Sequence, residues 1–171
     1  KRQLQPATTT TYVRSASVIE EQAVRVVSEE LVAQESSDKK SSDSDEGTSS
    51  DDNGAYTEEI YTTTFSRLIN PDMINQNAFV AEVDGRLVGL VHYVYHDDNW
   101  RLEKTSYLQD LFALPDFRNL GIGRKLIEAV YQAADENKTP SVYWLTEESN
   151  KTARKLYDRI AKLSPFVVYE R

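Results

Sequence analysis

The stretch Tyr107–Leu126 (YLQDLFALPDFRNLGIGRKL) constrains this chain more than any other. It reads as a buried strand, a tight turn and the start of a helix. Leu111 and Ala113 share one face of the strand, and Phe112 and Leu114 share the other. Apolar side chains on both faces are the pattern of a central strand. Pro115 stops the strand, because it has no N–H for a ladder. Arg118, Gly121 and Gly123 then fill a turn that enters a helix. Glycines spaced by one residue let backbone N–H groups approach a ligand with no Cβ between. A helix N-terminus carries unpaired N–H donors and partial positive charge. The stretch therefore predicts a pyrophosphate site over Arg118, Asn119, Leu120, Gly121, Ile122, Gly123, Arg124 and Lys125.

Two common nucleotide motifs do not fit. A dinucleotide fingerprint needs a third glycine where this chain has Leu126, and a P-loop needs Gly-Lys-Ser/Thr where it has Gly123-Arg124-Lys125. What remains is Arg118-x-x-Gly121-x-Gly123 after a strand ending Leu111-Phe112-Ala113-Leu114-Pro115. This resembles the acyl-CoA-binding motif of the GNAT superfamily of N-acetyltransferases, and the resemblance extends from about Tyr56 to Arg171. Within that superfamily the chain looks most similar to small-amine and polyamine (diamine) acetyltransferases.

Composition narrows the alternatives. The chain has 171 residues, a length that suits one domain, and 39% are hydrophobic. No run of 18 apolar residues predicts a membrane span, and no apolar secretory segment opens the chain. There is no cysteine, which removes disulfides, thiolate zinc sites and a cysteine nucleophile. His92 and His96 share a strand face, but no further histidine completes a metal site, so no metal is expected. The net charge is −8, and residues 35–55 hold seven acids against two lysines. No basic footprint for nucleic acid results. A mildly acidic body suits a cationic amine, and equally suits a plain acidic surface.

Along the chain, residues 1–34 are expected to supply a first strand, Thr9–Val13, and a helix from Ser15 or Ser17 to about Gln34. Residues 35–55, almost wholly Ser, Asp, Glu, Gly and Lys, read as a disordered insertion, because they bury too little to offset chain entropy. Residues 56–171 form the expected catalytic core. A helix starts at Thr57 with Ile60, Tyr61, Phe65, Leu68 and Ile69 as its stripe, and Asn70-Pro71 ends it. Ala78–Val83, Asp84-Gly85 and Leu87–Tyr95 predict a hairpin with a type I′ turn. Ser106–Leu114 is the central strand, and Ile122–Asn137 the helix after the glycines. Ser141–Leu145 predicts a strand, and Thr146 or Ser149 opens a last helix with Ala153, Leu156, Tyr157, Ile160 and Ala161 inward. Phe166–Tyr169 predicts a final strand. The fold class is mixed α/β, and the resemblance specifies a mostly antiparallel central sheet flanked by helices.

The resemblance implies acetyl-CoA as cosubstrate. Backbone groups of Phe112, Ala113 and Leu114 would pair with its pantetheine arm, although the same positions read equally as sheet core. Asn150, Ala153 and Tyr157 share one helix face, and Asn150–Tyr157 resembles the family's second signature. There the Asn and Ala positions bind the cofactor arm, and the Tyr position sits near the thioester sulfur. A phenol can protonate a departing thiolate, and the oxyanion would be held by a strand N–H. Alternatively, Tyr157 packs in the core with its hydroxyl at the rim.

Relatives that acetylate polyamines carry Glu where this chain has Gln109, beside an Asp matching Asp110. Gln109 cannot act as a base. Either water leads to a carboxylate such as Asp110, or the amine arrives neutral. Asp98 and Trp100 resemble positions that hold a cationic acceptor by charge and cation–π contact, or they form an exposed loop. The expected activity is acetyl transfer to a primary amine in a ternary complex, on a small amine such as a polyamine or amino acid. The alternatives are a protein or histone lysine acetyltransferase and a non-catalytic acetyl-CoA-binding module. The expected location is intracellular, cytoplasmic or nuclear, with no nucleic-acid or membrane partner; a homodimer is compatible.

Overall fold

The computed structural model describes the backbone of Thr11–Ser15 and residues 58–171. The helix expected up to Gln34 and the acidic tract of residues 35–55 lie outside the described residues. The elements are β1 (Thr11–Ser15), α1 (Glu58–Ile69), β2 (Gln76–Val83), β3 (Arg86–His96), β4 (Thr105–Ala113), α2 (Ile122–Glu136), β5 (Ser141–Trp144) and α3 (Lys151–Ile160). The strands form one sheet in the order β1-β2-β3-β4-β5. Neighbours are antiparallel except β4 and β5, which are parallel. This is the mixed sheet with flanking helices that the sequence predicts.

The β2–β3 hairpin turns at Asp84 (φ 50°) and Gly85 (φ 80°), the two left-handed residues of a type I′ turn. The β3–β4 register carries an irregularity. His92 pairs with Asp110 and Tyr93 pairs with Leu108, so Gln109 has no partner and forms a bulge. Because of that extra residue, Leu108 and Leu111 lie on one face although they are three apart.

The helix α2 packs on this face. Ile122, Leu126, Ile127, Val130 and Ala134 are its buried stripe. Fully burying side chains such as Leu126 contributes about 1.5–3 kcal/mol each. The closest approach is at Gly89, where a Cβ would meet Ile122 Cγ2 at 2.8 Å and the Phe112 carbonyl at 3.0 Å. A glycine in the middle of β3 thus seats the first turn of α2 against the end of β4. The Tyr95 hydroxyl donates to the Ala133 carbonyl at 3.1 Å and fastens the other end of the helix.

Four expectations change. Phe166–Tyr169 is not a strand; these residues are irregular and exposed, Phe166 by 88%. Strand propensity is realised only against a partner edge, and none of the described strands pairs with this segment. The stripe of α1 is narrower than expected, because Ile60 and Ile69 are exposed while Phe65 and Leu68 pack on the core. The first strand continues past Val13 to Ser15; it is described over Thr11–Ser15, and Thr9 and Thr10 lie outside the described residues. Ala161 is the exposed cap of α3 rather than part of its inner face, because the helix ends at Ile160.

Candidate active site

β4 ends at Ala113, and Pro115–Phe117 make a single 3-10 turn. Arg118 then reaches back, and its Nε donates to the Ala113 carbonyl at 3.1 Å. Two left-handed residues follow, Asn119 (φ 63°) and Gly121 (φ 83°). Alternation of this kind turns successive N–H groups into one concavity that suits an anion. Gly121 caps α2, and the first helical bond runs from Lys125 N–H to its carbonyl at 3.1 Å. The amides of Ile122, Gly123 and Arg124 therefore have no partner within the helix. No acidic residue stands in that first turn. Arg124 and Lys125 are exposed, with Arg124 3.7 Å from Glu128.

The two glycines have different jobs. Gly121 holds a backbone angle that side chains rarely adopt. A Cβ at Gly123 would meet Leu156 at 3.5 Å and Leu111 at 3.8 Å, which is ordinary contact. Gly123 is thus the point where the turn, β4 and α3 converge. The structure brings together three of the segments that the sequence singled out.

The edge of β4 is the second feature. β5 pairs with β4 only from Thr105 to Leu108, so its last pair, Leu108 with Trp144, ends at the Gln109 bulge. Beyond it, the β5 side of Gln109–Ala113 has no strand partner among the described residues. Backbone N–H and C=O groups on an unpaired edge need hydrogen-bond partners, and an extended amide-bearing chain can supply them. Leu114 N–H donates to the Val88 carbonyl at 2.9 Å and the Phe112 carbonyl lies against Gly89, so both residues turn their backbone to β3, and by alternation Leu111 and Ala113 turn theirs to the open edge.

Asn150 lies just before α3 rather than within it. Its Oδ1 accepts from Ala153 N–H at 3.2 Å, and its Nδ2 donates to Thr146 Oγ1 at 3.3 Å. It therefore caps the helix and fixes the loop in front of it. The Tyr157 ring meets Trp144 edge-on at 5.2 Å, and Trp144 in turn lies 6.4 Å from Tyr131 of α2. Burial raises the Tyr157 phenol above its ordinary value, so it keeps its proton through neutral pH.

Asp98 and Trp100 sit elsewhere. They belong to the loop before β4, whereas the glycine turn follows the other end of that strand, which is about 26 Å long at 3.3 Å per residue. Asp98 Oδ1 accepts from Trp100 N–H at 2.9 Å, and Oδ2 lies 3.7 Å from Arg101 Nε. The carboxylate shapes its own loop, and Trp100 is 94% exposed. Gln109 is exposed on the bulge. Asp110 is half-buried and faces His92, with Nδ1 and Oδ2 3.0 Å apart. His96 binds the Asp97 carbonyl at 2.9 Å and the Tyr143 hydroxyl at 3.2 Å.

The bulge was absent from the sequence-based reading, yet it has a signal. Leu108 and Leu111 break strict alternation, and a three-residue apolar spacing inside a strand needs one extra residue. The contact of His92 with Asp110 has no local signal, because it depends on the β3–β4 register.

The comparisons with known proteins agree with this geometry. A family model described as the acetyltransferase (GNAT) family matches residues 45–161. The chain is 40% identical over 114 residues to the D-amino-acid N-acetyltransferase HPA3 of Saccharomyces cerevisiae, covering 66% of this chain and 71% of that protein. An uncharacterized N-acetyltransferase of Archaeoglobus fulgidus is 36% identical over 98 residues, 54% of this chain and 63% of that protein. Among solved structures, the aminoglycoside N-acetyltransferase AAC(6')-Iy in complex with CoA superposes with a TM-score of 0.73 at 16% identity, covering 98% of each chain. The last likeness concerns the fold. With the glycine turn, the open β4 edge and a family match over most of its length, this chain belongs to the GNAT acetyltransferase family.

Proposed function

We propose that this chain transfers an acetyl group from acetyl-CoA to the amino group of a small molecule, with an amino acid as the foremost candidate. As a GNAT acetyltransferase it uses acetyl-CoA, which supplies an activated acyl group on a thioester. The observation that carries the reading is the unpaired edge of β4 from Gln109 to Ala113, leading into the left-handed turn at the start of α2. Of Phe112, Ala113 and Leu114, it is Ala113, with Leu111 before it, that would align the pantetheine arm along that edge. The pyrophosphate would lie on the amides of the turn, with Arg118, Arg124 and Lys125 giving favourable charge. Ala153 offers a small side chain on the inner face of α3, and Asn150 holds the start of that helix in place.

Tyr157 is the proposed proton donor to the departing thiolate. Its half-buried phenol stays protonated, which a donor requires. Gln109 has no acidic or basic function, and its proposed part is to shape the mouth beside Asp110. The amino-acid acceptor is favoured by the likeness to a D-amino-acid N-acetyltransferase rather than by a polyamine enzyme. Asp98 is committed to its own loop, which weakens the case for it and Trp100 as a polyamine clamp.

The test is release of CoA from acetyl-CoA with D- and L-amino acids, spermidine and a lysine-bearing histone peptide. Turnover with amino acids is expected to exceed that with the others. Turnover with the peptide alone would replace the small-molecule reading by a protein-lysine one. Binding of acetyl-CoA without turnover on any of these acceptors would overturn the small-amine proposal.

A further inference from the structure

We propose that His92 is the group that takes the proton from the acceptor ammonium, with Asp110 as its positioning residue. This rests on the acetyl-transfer reading above and names the base that Gln109 cannot be.

His92 on β3 and Asp110 on β4 are cross-strand partners, and Nδ1 stands 3.0 Å from Oδ2. An ionised carboxylate has no hydrogen, so the shared proton sits on Nδ1. The neutral ring then carries a bare lone pair on Nε2. Nε2 has no hydrogen-bond partner among the described residues. The His92 side chain is 17% exposed, so a small molecule or a water can reach it.

Position is the second step. Gly89 on β3 faces α2, and Tyr95 bonds to it. By alternation Val91 and Tyr93 face α2 as well, and His92 faces the other way. Trp144 pairs with Leu108, whose own partner is Tyr93, so Trp144 and its neighbour Tyr157 lie on the α2 side. The wedge between β4 and β5 starts at the bulge, directly beside Asp110. Tyr157 therefore flanks the wedge on one face of the sheet, and the His92–Asp110 pair flanks it on the other. An amine arriving beside His92 would attack from the side opposite to the proton donor of the leaving sulfur.

The step balances. The ammonium gives one proton to Nε2 of His92. Its freed lone pair forms the C–N bond to the acetyl carbon. The C–S bond breaks with its electron pair on sulfur, and the Tyr157 hydroxyl protonates that sulfur. The new amide nitrogen sheds its second proton, which restores Tyr157, and the proton on His92 leaves to water. One proton is released per acetyl group transferred.

Of the ionisable groups on this face, among the described residues, Asp110 is the one in contact with His92, and Glu82 of β2 shares the face by register. Burial raises the phenol of Tyr107, and the charge of Asp110 adds to it. Tyr107 stacks on Tyr143 at 5.1 Å, which bonds to His96. The β2 partner of His92 is Ala78, which is neutral.

The experiment uses the whole chain with acetyl-CoA and two acceptors, D-methionine and spermidine. The wild-type kcat/KM is expected to show a limb that rises with pH. His92→Gln should remove that limb and lower kcat about a hundredfold, with the Kd for CoA and the Tm unchanged. Asp110→Asn keeps an acceptor for Nδ1 but loses the charge, so kcat should fall while the Kd for CoA stays unchanged. An unchanged limb and kcat in His92→Gln would overturn the proposal. So would an unchanged kcat in Asp110→Asn, which serves as the deciding variant if His92→Gln does not fold. An acceptor-free measurement separates this claim from the acceptor class. Nitrogen-15 NMR of the imidazole at about pH 8 should show Nε2 bare and Nδ1 protonated. The reverse tautomer overturns the base assignment even where neither acceptor is acetylated, whereas the expected tautomer with two inert acceptors faults the acceptor class alone.

Discussion

At its start β4 is paired on both sides, and past Leu108, among the described residues, it is paired on one. From Thr105 to Leu108 it bonds to β3 and β5 alike. Behind this end the Thr139 hydroxyl donates to the Ala134 carbonyl at 3.1 Å and accepts from Ser106 at 3.2 Å. Both side chains are buried. From Gln109 onward the ladder to β5 stops, the strand bulges, and a left-handed turn leads to exposed helix amides. One end of the strand spends its polar groups on the fold. The other end keeps its β3 side bonded and gives the Ala113 carbonyl to Arg118, and the rest of its β5 side has no strand partner among the described residues. That difference separates the part of β4 that supports structure from the part that supports chemistry.

Substitutions at the two ends can break or sharpen this contrast. The largest effect is expected at Tyr157, beside the open end. Tyr157→Phe should lower kcat by a hundredfold or more while the Kd for CoA changes by less than about twofold. Equal losses in both would make the tyrosine structural. Because burial raises its phenol, the wild-type kcat should show no loss from this group below about pH 10. Next, Gly121→Val forces a β-branched residue into a left-handed angle, at a cost of about 1–2 kcal/mol. The turn should yield rather than the sheet, so calorimetry should find CoA binding weakened about tenfold.

A smaller effect belongs to the closed end. Ser106→Ala removes one buried hydrogen bond, and denaturant melts should record a loss of about 1 kcal/mol. Its kcat and KM should not move; a fall in either would join the two ends functionally. The smallest effect is expected for Trp100→Ala in the loop before β4. An exposed side chain there should change stability by less than about 0.5 kcal/mol. A raised KM for spermidine in that variant would bring the loop into the acceptor site.

The sequence of residues 107–126 carries its own structure. Apolar residues on both strand faces, Pro115 as terminator and Gly121 at the cap are local signals, and each is realised. The Asp84-Gly85 hairpin is legible for the same reason, since a type I′ turn depends on two adjacent residues. Local chemistry also misleads where partners decide. Phe166–Tyr169 has strand composition, yet it pairs with none of the described strands. Asp98 resembles a ligand for a cation, and in the structure its Oδ1 accepts from Trp100 N–H of the same loop.

What the amino-acid order determined alone is the glycine turn and the strand and helix on either side of it, because neighbours in the chain dictate backbone angles. Only the folded sheet decided the meeting of His92 with Asp110 and the parting of β5 from β4. Both depend on register between strands distant in sequence, and a shift of one residue would turn each side chain to the opposite face.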